Sequence, residues 1–414
     1  MFTYAMAGLG HLRVTDALVD SLPKGIPYEL MGTSGALLTG FHRFISVNPF
    51  AKRISEAFQH GFLEDIFTKV YVGSLRRFTG DVYQKMLEVI ENRADVDSVT
   101  VVATHFGLAH QIAAVKRKLE RKTKREISIV VQVTDDTSMH VWCVRGADLT
   151  MVPSRQTKSE LEKYAKSKGI KFNCEVSPYP TSPMLAREFP KGDGVRWLAL
   201  AEKSNEPVNV MIPISGAAVG LSYLSRLITT MDGLSGRFRF WVVGKRTKQL
   251  LNFTSWIARL RWVQVVTGKN DREVVNLYEK TYRDNVIHLE VTKPSEQAFK
   301  ALIPPSMIGG SVLLFAAPVG RQEYDNIKFL QRHGLVRSAE ECGRKEEMAH
   351  FPRGILLPRD PEEAGRFVVS CLEKGYWERM TLGFEYSPES LLSGEINEKG
   401  TWLFWEKLKV LGLV

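Results

Sequence analysis

Cysteine is scarce in this chain of 414 residues, and long apolar runs are missing from it. The four cysteines are scattered and form no C-x-x-C pair, which argues against structural zinc and disulfides and for a reducing compartment. No segment reaches the roughly 18 uninterrupted apolar residues of a membrane span, and no charged region precedes an apolar one as in a signal peptide. Low-complexity tracts and solenoid repeats are also missing. We therefore expect a protein that stays in the cytoplasm.

The overall composition is that of a soluble globular protein, with 44% apolar and 25% charged residues. The length exceeds that of one ordinary hydrophobic core, so two domains are expected. A net charge of +10 favours an anionic partner, either a nucleotide, an acidic lipid surface or nucleic acid. Because the chain contains no recognisable nucleic-acid-binding motif, we do not expect it to bind nucleic acid.

Apolar runs of strand length alternate with amphipathic helical patterns in both halves of the chain. The alternation predicts right-handed βαβ units, and so an α/β protein with two Rossmann-like domains, parallel sheets and helices on both sheet faces. Four prolines and two glycines between residues 178 and 194 mark the best linker region. We assign domains to residues 1–190 and 208–375, a linker to residues 191–207, and to residues 376–414 a helical tail that can cross back to the first domain.

The most informative stretch is SVLLFAAPVGRQEYDNIKFLQRHG, residues 311–334. It predicts a buried strand, a turn at Gly320 and a helix with a polar first turn. The unpaired N–H groups and positive dipole end of such a helix start suit a phosphate. The carboxylate of Glu323 can accept hydrogen bonds from both hydroxyls of a ribose. A buried strand followed by an ordinary helix is the alternative explanation.

Two other strand-to-helix turns of the second half have residues that suit a phosphate. Ser215 and Gly216 open a turn of small residues after one predicted strand, and Lys293 and Ser295 follow another. The carboxyl ends of parallel strands all point one way, so the three turns should converge on one crevice.

In the first half, His11 follows Gly10 at the start of a predicted helix. The positive end of the helix dipole favours neutral imidazole, a form that can accept a proton. A histidine that only hydrogen-bonds its own turn is the alternative. Adjacent carboxylates, Asp135 and Asp136, follow a buried strand, where open α/β sheets bind ligands; capping of the next turn is the alternative role for them.

Metal binding is not expected. Asp135 and Asp136 are adjacent and do not form the D-x-D pattern of a metal-chelated sugar nucleotide. His105 and His110 are five residues apart, which would place them on different faces of a helix.

Aromatic and basic residues are interleaved between residues 36 and 90. This mixture fits a surface that lies on an anionic membrane. It also fits helices whose aromatic residues are core and whose basic residues are solvated. The members are Phe41, His42, Arg43, Phe44, Phe50, Lys52, Arg53, Phe58, Phe62, Phe67, Lys69, Arg76 and Arg77.

Taken in order, these segments resemble the GT-B glycosyltransferases, in particular the group that contains the bacterial transferase forming lipid II and the monogalactosyldiacylglycerol synthases. The GLGH turn at 8–11 is similar to the GGGH turn of that family, and residues 104–110 resemble its H-P-L-x-x-H segment. Residues 133–142 resemble its T-D-x-x-x-x-H-x-x-W stretch, with the tryptophan one place early, and Pro153-Ser154 matches its helix start. Residues 293–296 partly resemble its K-x-G-x-x-T-x-x-E donor turn. Residues 320–326 are close to its G-Q-E-x-x-N signature, with one arginine inserted.

The resemblance implies an N-terminal domain that takes a lipid or lipid-linked acceptor and a C-terminal domain that takes a UDP-sugar, facing each other across a cleft. It implies inverting, metal-independent transfer of a hexose or N-acetylhexosamine at the membrane surface, without a cofactor. The catalytic candidates are then His11 and Asp135. The acceptor-binding candidates are Gly10, His105, His140 and Trp142. The nucleotide-sugar-binding candidates are Ser215, Gly216, Lys245, Lys293, Ser295, Glu296, Arg321, Gln322, Glu323 and Asn326.

Two departures from the family pattern keep other functions open. The turn at Ser215 lacks the glycine triplet of the family, and the turn at Lys293 has lost its paired glycines. A sugar-nucleotide epimerase of the same fold, acting on the donor alone, is one alternative. A catalytically inactive GT-B protein that serves as a binding module is another. The sequence leaves the sugar, the acceptor and the oligomeric state open.

Overall fold

The structure is a computed structural model that describes residues 1–5, 9–33, 61–93, 95–190, 196–214, 218, 220–342 and 350–414. The chain divides into two compact units. Unit 1 comprises residues 1–180 and 399–414, and unit 2 comprises residues 181–398.

A six-stranded parallel sheet forms the centre of unit 1, in the order β2-β1-β3-β4-β5-β6. Strands β3 and β4 are rich in valine and isoleucine and pair over six residues, as expected for strands covered on both faces. The strands are β1 (Phe2–Ala5), β2 (Leu30–Thr33), β3 (Ser98–Ala103), β4 (Glu126–Gln132), β5 (Leu149–Val152) and β6 (Cys174–Val176). The helices are α1 (Leu9–Asp20), α2 (Gly61–Arg77), α3 (Gly80–Glu91), α4 (Phe106–Thr123) and α5 (Arg155–Ser167), with α14 (Gly400–Val410) from the end of the chain.

A seven-stranded parallel sheet forms the centre of unit 2, in the order β12-β13-β11-β10-β7-β8-β9. Its strands are β7 (Val208–Pro213), β8 (Phe238–Lys245), β9 (Val263–Gly268), β10 (Leu289–Thr292), β11 (Val312–Phe315), β12 (Val336–Ser338) and β13 (Gly354–Leu356). Its α-helices are α6 (Leu221–Leu234), α7 (Lys248–Ile257), α8 (Asp271–Asp284), α9 (Arg321–Arg332), α10 (Ala339–Cys342), α11 (Pro361–Glu373), α12 (Tyr376–Leu382) and α13 (Pro388–Leu392). A 3₁₀ helix, Glu296–Leu302, follows β10.

The α/β class, the two parallel sheets and the helices on both sheet faces are confirmed. Strands β2 and β12, each at one edge of its sheet, were not predicted. Each is short, and neither has an uninterrupted apolar run, because β2 contains Gly32 and β12 contains Arg337 and Ser338.

Residues 181–190 belong to unit 2, whereas the sequence predicted a first domain that extends to residue 190. Backbone hydrogen bonds explain the difference. Phe189 N–H donates to the carbonyl of Ser306, and Ile308 N–H donates to that of Arg187, each at 2.8–2.9 Å. Residues 181–190 of the proline-rich stretch therefore begin unit 2 instead of closing unit 1. Helix α14, in the predicted tail, packs in unit 1, where Trp405 Nε1 donates to the carbonyl of Leu18 at 3.0 Å.

None of the described helices combines the length and the apolar character needed to cross a membrane. The aromatic and basic residues from Phe41 to Phe58 lie outside the described residues.

Candidate functional site

Three strand-to-helix turns of unit 2 follow strands that are immediate neighbours, because β7, β10 and β11 pair in the order β11-β10-β7. The turn after β7 ends at Gly220, which caps α6 with φ of +84° and provides no side-chain cap for the helix N–H groups. The Lys293 side chain from the turn after β10 runs past this glycine: its Cε is 3.7 Å from the place where a β-carbon on Gly220 would be. A cation therefore lies against the start of α6.

Glu323 lies in the first turn of α9, on the other side of Lys293. The Lys293 Nζ is 3.7 Å from Glu323 Oε1, and Glu323 Oε2 accepts a hydrogen bond from the backbone N–H of Val319 at 2.6 Å. Burial raises the pKa of Glu323 above its ordinary value, and the nearby Lys293 opposes the rise. Gly320 caps α9 with φ of +89°, a backbone conformation that other residues rarely adopt.

Asn326 holds the turn after β10 against α9. Its side chain is fully buried, and its Nδ2 donates to the carbonyl of Pro294 at 3.2 Å. The residue was predicted to surround the sugar, and in the described structure it fixes the backbone beside Lys293.

The other nucleotide-sugar candidates have different surroundings. Lys245 pairs with Asp271 at 2.9 Å, and Arg321 lies 3.4 Å from Asp325 on the next turn of α9. Ser295, Glu296 and Gln322 are half-buried in the first turns of their helices. Ser215 and Gly216 lie outside the described residues.

His11 of unit 1 lies in the first turn of α1, beside residues that follow β3 and β4. Its Nδ1 is 2.7 Å from the carbonyl oxygen of Thr104 and 3.2 Å from the hydroxyl of Thr134. A carbonyl oxygen can only accept, so Nδ1 carries the proton in the neutral ring and Nε2 holds the lone pair. This tautomer is the one that an Nε2 base requires. Thr104 and Thr134 were not among the predicted site residues.

His105 and Trp142, two of the predicted acceptor-binding residues, lie behind His11. The His105 ring meets that of His11 edge-on with centroids 4.9 Å apart, and the Trp142 ring lies 6.5 Å from it. Both side chains are 0% exposed, and His105 Nδ1 caps α4 by accepting from the N–H of Gly107. Contact between either residue and an acceptor stays a prediction, which their burial disfavours.

The adjacent aspartates have different environments. Asp136 is buried and accepts from the hydroxyls of Ser154 at 2.5 Å and Thr157 at 2.7 Å, so it anchors the start of α5. Asp135, the predicted catalytic residue, is only half-buried. Asp136 therefore supports Ser154, the residue that caps α5, and a catalytic role for Asp135 stays a prediction.

The two remaining acceptor-side candidates differ in their contacts. His140 Nδ1 lies 2.8 Å from Asp65, and the imidazole stacks on the Tyr164 ring at 3.7 Å. Hydrogen bonding from Lys168, with His140 nearby, lowers the pKa of Asp65. Gly10 is half-buried in the first turn of α1, next to His11. Among the described residues no group of three or more histidine, cysteine, aspartate or glutamate side chains is arranged to hold a metal ion.

Several solved structures share the fold. UDP-GlcNAc 2-epimerase from Neisseria meningitidis, bound to UDP-GlcNAc, aligns with a TM-score of 0.51 at 9% identity over 99% of both chains. S. aureus MnaA, solved with UDP, aligns with a TM-score of 0.50 at 9% identity over 100% of this chain and 97% of the other. Acinetobacter baumannii MurG aligns with a TM-score of 0.47 at 12% identity over 99% of both chains. No protein-family model and no curated protein matches the chain. The similarity to the first two structures identifies the fold of this chain as GT-B.

The contacts of His11 predict an unusual tautomer. In the neutral ring we expect the proton on Nδ1, because the Thr104 carbonyl requires a donor there. Nitrogen-15 NMR of histidine-labelled protein, at a pH where His11 is neutral, checks this. His110 is an internal control: its Nε2 faces the Val141 carbonyl and burial lowers its pKa to about 4, so it should show the opposite tautomer. An Nε2 proton on His11 would contradict the arrangement.

Proposed function

We propose that the chain is an inverting, metal-independent glycosyltransferase that moves a hexose or N-acetylhexosamine from a UDP-sugar to a lipid or lipid-linked acceptor. The observation that carries the proposal is the position of Lys293, between the glycine-capped start of α6 and Glu323 at the start of α9. These groups supply what a nucleoside diphosphate needs: a cation and backbone N–H groups for the phosphates and a carboxylate for the ribose.

The ion pair of Lys293 and Glu323 suggests how the donor is bound. A diphosphate next to α6 attracts Lys293, and the ribose hydroxyls donate to Glu323 in place of part of its present contacts. Transfer leaves negative charge on the departing UDP, which Lys293 and the helix start stabilise without a metal.

The acceptor side needs a base, since inverting transfer removes a proton from the attacking hydroxyl. The tautomer imposed on His11 places the lone pair on Nε2, which supports His11 as that base. Asp135 is the second catalytic candidate, because it follows β4 at the sheet edge where open α/β sheets bind ligands.

The donor site is tested by calorimetric titration with UDP. We expect Glu323→Gln and Lys293→Gln each to weaken binding about tenfold or more, because a hydrogen bond to a charged group contributes about 1.5–3 kcal/mol. Lys328→Gln is the matched control: it removes an exposed positive charge from the same helix, α9, and should leave affinity unchanged. Absence of UDP binding by the unmodified protein would end the proposal.

A sugar-nucleotide epimerase is the second candidate, because the Neisseria meningitidis structure that aligns with a TM-score of 0.51 is described as a UDP-GlcNAc 2-epimerase. The two functions differ in whether an acceptor is consumed. A binding module would take up UDP and convert no donor at all.

Turnover of UDP-GlcNAc separates these functions. We expect sugar to appear on a diacylglycerol or polyprenyl-linked acceptor, with no epimer formed when the acceptor is omitted. His11→Asn should lower this transfer by about a hundredfold or more, the usual contribution of a general base, while UDP affinity stays unchanged. Epimer formation without acceptor would instead identify the epimerase, and full activity of His11→Asn would remove this residue from the mechanism.

Membrane association is part of the proposal and is supported by the outer face of α2. Val70 of α2 is 68% exposed, and Phe78, the residue after the helix, is 74% exposed. The exposed Lys69 and Arg77 are their neighbours in sequence. Apolar and basic side chains on one helix face fit an anionic lipid surface.

Sedimentation with lipid vesicles tests the surface. The protein should sediment with anionic vesicles but not with neutral ones, and added salt should release it because screening weakens the attraction. The double variant Val70→Ser/Phe78→Ser should stay in solution. Leu234→Ser removes a similarly exposed leucine (54%) from unit 2 and should behave like the unmodified protein. Binding that does not distinguish the two vesicle types would contradict the assignment.

A further inference from the structure

A cluster of polar side chains is buried in unit 2, and the functions considered so far do not use it. Glu290 of β10 is at its centre, and its Oε2 accepts hydrogen bonds from Tyr278, Tyr282 and Lys300 at 2.7, 2.5 and 2.6 Å. Ser311 completes this Glu290 cluster, 2.9 Å from the Tyr282 hydroxyl. Glu290 is 0% exposed and Lys300 only 6%. Fully buried charges of this kind are expensive unless they are paired.

The position of the ion pair along the chain is the informative feature. Glu290 lies three residues before Lys293, and Lys300 lies seven residues after it. The contact between them therefore closes the loop of chain that carries Lys293. Tyr278 adds a second link across the same turn, because its hydroxyl is also 3.1 Å from the side-chain amide oxygen of Gln297.

Two buried arginines fix the segment that follows. Arg353 donates to the carbonyls of Ile303, Gly310 and Ser311 at 2.8–3.1 Å. Arg196 donates to the carbonyls of Pro305 and Ile308 at 3.1–3.2 Å. Much of the backbone between β10 and β11 is thus held by cations that no solvent reaches.

Stability alone does not explain this arrangement. A buried ion pair is often no better for stability than apolar side chains of the same volume, whereas its geometry is far more specific. Here the specific geometry is imposed on the turn that presents Lys293 to α6 and Glu323.

We propose that Lys300 and Glu290 are positioning residues that hold the Lys293 turn in the conformation that receives the diphosphate of the donor. The inference rests on the proposed function for its ligand, and on the Glu290 cluster for its mechanism. Neither residue touches the donor; both act through the backbone of residues 293–296.

The charge of Lys300 gives the mechanism a pH signature. Burial lowers the pKa of Lys300 from 10.5 to about 8, against the attraction of Glu290. Tyr278, Tyr282, Arg196 and Arg353 also face this ammonium; burial raises the pKa of Tyr282 and lowers that of Arg353 to about 10. Lys300 therefore loses its charge at a lower pH than Arg353 does.

Donor affinity and stability should respond to this titration in opposite directions. As the pH rises through about 8, Lys300 loses its proton and its attraction to Glu290, so the turn loosens and UDP affinity falls. The folded pKa is below the unfolded value, so the unfolded chain binds more protons between about 8 and 10.5 and the contribution of Lys300 to the unfolding free energy rises there.

The experiment compares Lys300→Met, the double variant Glu290→Met/Lys300→Met and the unmodified protein by hydrogen exchange and by UDP titration from pH 7 to 9. Lys300→Met should speed amide exchange in residues 293–302 and abolish the fall of UDP affinity near pH 8. It should also weaken UDP binding about tenfold, which is the lower end of the loss seen when positioning contacts are removed at metal sites. The double variant should regain melting temperature, because no charge is left unpaired, but not UDP affinity.

Two further variants keep the result interpretable. Tyr278→Phe removes one link of the cluster without leaving a charge unpaired, and serves if Lys300→Met does not fold. Asp232→Asn removes a buried carboxylate near the other end of α6, where it accepts from the N–H of Arg261; it should lower stability and leave UDP affinity and exchange at 293–302 unchanged.

The outcomes separate this inference from the proposed function. If the unmodified protein binds no UDP, the proposed function fails, and exchange at residues 293–302 still decides whether the cluster orders the turn. If it binds UDP and the Lys300→Met and double variants bind equally well with the same pH profile, the positioning role is wrong and the cluster serves stability alone.

Discussion

The candidate donor site depends on the pairing of β7, β10 and β11 as direct neighbours in one parallel sheet. Parallel strands end at the same edge of a sheet, so the turns that follow these three strands lie side by side. Lys293 approaches both Gly220 and Glu323 for this reason, although more than 70 residues separate Gly220 from Lys293 in sequence. The strand order is therefore what brings these residues into contact.

The sequence was sufficient for features that depend on local pattern. The buried runs Val101–Ala103 of β3 and Ile129–Val131 of β4 are apolar without interruption, because both faces of a central parallel strand are covered there. The glycine at 320 and the polar residues after it marked the start of α9 correctly, since the φ of +89° there restricts the choice of residue. The placement of the Lys293 and Glu323 turns at one edge of the sheet also followed from strand direction, whereas their being neighbours depends on the strand order.

Features that depend on contacts distant in sequence could not be predicted. Asp135 and Asp136 are equivalent in sequence, and only the position of Ser154 and Thr157 shows which one anchors a helix. Glu290 and Lys300 interrupt apolar patterns and resemble surface residues until Tyr278 and Tyr282 of α8 are placed against them. Trp142 and His105 were expected to touch a ligand, but burial depends on the packing of α4 and the aromatic rings around His11.

The composition of unit 1 from two separate stretches of chain has a consequence for biosynthesis. Residues 399–414 complete this unit: Lys407 donates to the Val176 carbonyl at 2.7 Å, and Gly400 packs so closely on Tyr179 that a β-carbon would lie 2.1 Å from its carbonyl oxygen. A ribosome therefore synthesises residues 181–398 of unit 2 before it reaches α14 of unit 1. Until α14 has been synthesised, the surface of unit 1 that this helix covers stays open.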